Sequence, residues 1–151
     1  LERFNKDKIF RLWSLIVYTN GKSKYKSDIP LLVILPGAKS KRTKTDNFGE
    51  YLPSENLIKI WCGPHIDFAD LASTMLHEYA HYLQFWPWYM RYKGMYTYEK
   101  NPYEIQAREF EKLAPGLVKL TTEDEWLKFQ RKNKGIIKIY EDSRSSINVK
   151  T

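Results

Sequence analysis

The stretch Asp67-Phe68-Ala69-Asp70-Leu71, running on through Leu76-His77-Glu78-Tyr79-Ala80-His81-Tyr82, decides how the rest of the chain is read. Asp67 stands where a helix N-cap belongs, with Asp70 three residues on. Pro87 closes the far side, so the spacing predicts a helix over about 68–85. Inside it, His77 and His81 lie one helical turn apart. Residues i and i+4 share a face, with Cβ atoms about 6 Å apart. Both imidazoles can then reach one zinc ion while Glu78 flanks the open coordination position. Glu78 is thereby placed to take a proton from a metal-bound water, whose pKa zinc lowers to about 7.

A catalytic zinc takes three protein ligands and a water. The chain has three histidines, and the third, His65, falls upstream in a Gly-Pro turn and reads as a loop residue. The third ligand is therefore expected to be a carboxylate. The downstream candidates are Glu99, Glu104, Glu109 and Glu111. Glu99 falls in a predicted loop over 86–100. Glu104 falls in the first turn of a helix opened by Asn101-Pro102, where it can point back across an antiparallel hairpin at the motif helix. Glu111 shares that face two turns further along, and Glu109 points away from it. Glu104 is the best placed. Gln84 and Pro87 exclude the extended HExxHxxGxxH form, and a SprT-like protease would also want a downstream histidine.

With Glu104-Ile105-Gln106-Ala107-Arg108-Glu109-Phe110 following the histidine pair, the chain resembles the gluzincin arrangement HExxH…E. It is most similar to the compact ImmA/IrrE-type metallopeptidases, whose third-ligand helix reads E-x-x-A-x-x-F. The resemblance covers about residues 48–113. It implies His77, His81 and Glu104 as zinc ligands, with Ala107 and Phe110 packing the second helix on its neighbour. It also implies a minimal zincin-like fold with a small mixed β-sheet, and zinc-dependent hydrolysis of peptide bonds. Such helices commonly carry Asn or Asp four residues after the ligand to support a zinc-bound histidine; here that position is Arg108.

Outward from this core, apolar residues at three- and four-residue spacing predict an N-terminal helix over 2–19. Leu31 to Leu35, fenced by prolines, reads as a buried strand. Residues 48–52 and 57–62 read as a hairpin across Pro53-Ser54-Glu55-Asn56. Taken as an edge strand, Leu57, Ile58, Lys59 and Ile60 could pair with an extended substrate backbone. The second motif helix is expected to stop at Pro115-Gly116. Thr122 and Glu125 form a candidate capping box for a further helix, and 136–140 reads as a final strand. Helices and a small sheet without regular βαβ alternation place the chain in the α+β class, as a single domain over 1–151. Residues 79–103 hold ten of the 23 aromatic residues. They read as a cleft wall, with a tyrosine, Tyr103 first, donating to the oxyanion, or equally as packing on the core.

Composition excludes several classes. Hydrophobic residues at 42% rule out a disordered chain, and no apolar run approaches a membrane span. The single cysteine, Cys62, rules out an intramolecular disulfide and a thiolate cluster. It fits a reducing compartment, so a cytoplasmic location is expected. The net charge of +7 divides as +6 over 1–60, −3 over 61–111 and +4 over 112–151. Basic loops at 22–26 and 39–44 could dock on nucleic acid. The rival to a peptidase acting on a protein or peptide is accordingly a zincin-fold binding or regulatory module.

Overall fold

The computed structural model describes residues 4–37 and 48–150. Helix α1 (Lys6–Asn20) opens at Asn5, whose side chain accepts from the Asp7 backbone N–H. Its residues Ile9, Leu12, Trp13, Leu15, Ile16 and Val17 are all buried, so α1 runs through the core rather than over it. Four strands follow from three separate places in the chain: β1 (Leu31–Pro36), the hairpin β2 (Gly49–Leu52) and β3 (Leu57–Cys62), and the short β4 (Asn148–Val149). They form one mixed sheet in the order β2-β3-β1-β4. The β1–β3 and β1–β4 pairs are parallel and the β2–β3 pair is antiparallel. Alternation along β3 buries Ile58, Ile60 and Cys62 on one face of the sheet.

The order corrects one expectation. Strand β3 lies between β1 and β2, with Leu57 opposite Leu31 on one side and Leu52 on the other. Its backbone is committed on both sides, so Leu57 to Ile60 are not an edge that an extended peptide could join. Among the described residues, β2 is the outer strand on this side of the sheet.

Helix α2 (Phe68–Leu83) carries the histidine motif and packs on β2 and β3. Asp67 and Asp70 form a reciprocal capping box, satisfying two backbone donors at its start. Helix α3 (Trp86–Met95) and a 3-10 turn (Tyr98–Lys100) occupy the stretch expected as a loop. Pro87 sits in the first turn of α3, where its missing N–H costs nothing, so it starts a helix there instead of only ending one. Helix α4 (Pro102–Phe110) opens at Asn101, whose side chain accepts from Tyr103 N–H at 2.9 Å. Pro115-Gly116 does not stop the chain's helical course. After a 3-10 turn at Glu111–Leu113, helix α5 (Ala114–Leu120) takes Pro115 in its first turn.

Thr122 stands at the start of α6 (Glu123–Lys132), but its hydroxyl donates back to Lys119 O at 2.9 Å. The capping box expected of Thr122 and Glu125 is therefore not made. The segment 136–140 is the opening of helix α7 (Ile136–Ser146), not a strand. Ile136, Ile139, Tyr140 and Ser143 recur at helical spacing and lie along α1. Ser14 donates to Ser143 Oγ at 3.2 Å across that contact. The result is an α+β fold in which a small mixed sheet and α1 enclose α2. Among the described residues no helix is long and apolar enough to cross a membrane.

Candidate metal centre

Packing of α2 against α4 brings the motif together. The Nε2 atoms of His77 and His81 lie 3.0 and 2.9 Å from the same oxygen, Glu104 Oε1. Glu104 is only 2% exposed, and Glu78 on α2 is buried as well. Ligand-type atoms of His77, Glu78 and His81 all fall within 4.8 Å of one another. Ala107, one turn beyond Glu104, is fully buried, which lets α4 approach α2 closely.

The outer nitrogens of both rings are held as well. His77 Nδ1 lies 3.0 Å from Glu111 Oε2, and His81 Nδ1 lies 2.7 Å from Gln84 Oε1. The Gln84 amide nitrogen donates to Tyr103 O and to Gln106 Oε1, both at 2.9 Å. Its oxygen is thus the end turned to His81, which fixes the His81 proton on Nδ1. Its Nε2 is then the ring atom turned to Glu104 Oε1, 2.9 Å away. A tetrahedral ion with bonds near 2.0–2.1 Å holds its donors about 3.3 Å apart. The two His–Glu104 separations need to open by only a few tenths of an ångström to meet this, so these donors fit a zinc ion.

Burial opposes charge on His77, yet the hydrogen bonds to Glu104 and Glu111 outweigh it and hold its pKa up at about 9. Burial likewise opposes charge on Glu104, and the hydrogen bonds from His77 and His81 overcome it, keeping its carboxyl well below the usual range.

Tyr89 on α3 donates to the second Glu104 oxygen at 2.6 Å; its ring stacks on Trp86 and meets His81 edge-on. Its pKa is pushed far up, first by burial and then by the Glu104 carboxylate. Tyr98 is affected in the same way by burial, Glu104 and Glu78. Arg108, at the position where Asn or Asp was expected, donates to Glu99 O and so ties down the turn that carries Tyr98.

Tyr103 does not face this centre. Its ring meets Tyr92 edge-on at 5.4 Å, and besides burial its phenol responds to Phe85, Tyr92 and Tyr25. The oxyanion expectation placed on it is corrected: α4 turns Glu104 inward, and its neighbour Tyr103 therefore points elsewhere. Tyr89 and Tyr98 are the tyrosines at the site. The sequence signal for Glu111 was its seven-residue spacing from Glu104. Gln84 offered only its place one turn after His81.

His65 packs against Phe48 at 5.6 Å, apart from the histidine pair, and Cys62, the one cysteine of the sequence, is buried at the end of β3. The basic loop 22–26 is held on α2, where Tyr79 donates to Gly21 O and Tyr82 accepts from Ser23 N–H at 3.0 Å. The second basic loop, 39–44, lies outside the described residues. Comparison with protein families, with curated proteins and with solved structures returns no match in any of the three.

Proposed function

We propose that the chain is a zinc-dependent metallopeptidase of the HExxH…E type, with the zincin-like fold that this arrangement implies. The observation that carries this reading is the convergence of His77 Nε2 and His81 Nε2 on Glu104 Oε1 within 3.0 Å, with the Glu78 carboxylate alongside. His77, His81 and Glu104 would hold the ion, which supplies a Lewis acid and lowers the pKa of water to about 7. Glu78 accepts the proton of the attacking water and delivers it to the leaving amine. Glu111 and Gln84 keep both imidazoles turned inward. Tyr98, with its hydroxyl near Glu104 and Glu78, is the phenol best placed to donate to the oxyanion.

Elemental analysis of purified protein together with a peptide-cleavage assay tests the reading. One zinc per chain is expected, lost in Glu104→Ala. Glu78→Gln should keep the zinc while cleavage falls by about 10²–10⁴-fold. Cleavage that survives Glu78→Gln, or a protein that binds no zinc, overturns it.

A further inference from the structure

Helix α3 buries none of its ten residues completely, and its outward side is apolar. Trp86 and Tyr89 face the metal centre. On the other side Trp88, Met90 and Met95 are 41%, 50% and 64% exposed, beside exposed Pro87 and Gly94. Arg91 is the one charge within that arc, its guanidinium lying 4.7 Å over the Trp88 ring. A helix apolar on both sides normally has a cover on both. Here the outer side has none among the described residues.

Shape and charge identify the cover. Phe85, Pro87, Trp88 and Arg91 line an open hollow of about 290 Å³, at the lower limit of small-molecule pockets and suited to a side chain. The basic loop 22–26 reaches this hollow through Tyr25, whose ring lies 4.9 Å from Phe85. The two segments that meet at this contact, 22–28 and 85–100, carry six Lys/Arg against two acids, Asp28 and Glu99, and Arg91 lines the hollow itself. Trp, Tyr, Met and Arg are the residue types that protein interfaces concentrate at their centres. A second copy of the chain would set these cations against one another. A bilayer has no side chain to fill a hollow.

We propose that the outer face of α3 and the 22–26 loop form a docking surface for an acidic protein segment anchored by one apolar side chain, which delivers that segment's protein to the adjacent metal centre. The purpose of this docking rests on the peptidase reading. The docking itself is measured without turnover, so the two can fail separately.

The test uses the full chain carrying Glu78→Gln and two fluorescein-labelled decapeptides, one alternating Glu with Leu and Phe, the other alternating Lys with the same residues. Fluorescence anisotropy should show the acidic peptide binding at least tenfold more tightly. Trp88→Ala should weaken it tenfold or more, and Arg91→Glu should reverse the preference, with zinc content and circular dichroism unchanged in both. Equal affinity for the two peptides, no binding of either, or indifference to Arg91→Glu overturns the proposal. So does tighter binding, dependent on Trp88, to phosphatidylserine vesicles or to a labelled oligothymidylate.

Discussion

Gln84 sits one turn beyond His81 with its amide held at both ends, by Tyr103 O and Gln106 on the nitrogen and by His81 on the oxygen. Removing it frees the His81 ring to rotate and to change tautomer. Gln84→Ala is therefore expected to weaken zinc binding by about 10–100-fold in chelator competition, with the three ligands intact. The proton on His77 sets a second expectation. Its folded pKa of about 9 lies above the ordinary 6.5, so the metal-free ion pair stabilises the fold fully below about pH 6.5 and loses its effect as pH rises through about 9. Zinc must displace that proton. Its affinity should rise about tenfold per pH unit between 7 and 9 and then level off, as isothermal titration would record. The candidate ligands were legible in the sequence because helical spacing pairs His77 with His81 and the Asn101-Pro102 start puts Glu104 in the first turn of the next helix. The outer partners were less so, because Gln84 and Glu111 become neighbours of the rings only once α4 is packed.

Gly49 in β2 shows how closely the sheet and the motif helix meet. A Cβ there would lie 2.8 Å from Thr74 Cγ2 and 3.0 Å from Glu78 Cγ. In Gly49→Ala the neighbours must move, and Glu78 is among them. The expected result is a fall in kcat of about 10–100-fold with zinc retained, since shifts below 1 Å at a proton-transferring group cost that much. An unchanged kcat would count against Glu78 as the proton acceptor. At this scale the sequence spoke unevenly. The capping box of α2 was readable because Asp67 and Asp70 are local. The place of β3 inside the sheet was not, because it depends on pairing with β1, some 26 positions earlier. The error over 136–140 has a similar origin: an Ile-rich run suits a strand or a buried helix face equally, and the packing of α1 decides between them.

Across the whole molecule, α1 and α2 meet in one core that also takes the inner face of the sheet and residues of α5, α6 and α7. Leu12 on α1 is fully buried there, away from the metal ligands. Leu12→Ala should cost about 2–5 kcal/mol in urea unfolding, without lowering the zinc content of the protein that remains folded. The α+β class was legible from the mixture of periodicities. The sheet order was not, because two of its strands come from opposite ends of the described chain. That arrangement also bears on the order of assembly. The downstream partners of His77, Glu104 and Glu111, lie within 34 positions of it, whereas the Ser14–Ser143 contact spans 129 positions and β4 reaches β1 only after α7 exists. Loop closure over such separations is slow. A chain leaving the ribosome can therefore bring His77, His81 and Glu104 within reach of one another before β4 has joined the sheet.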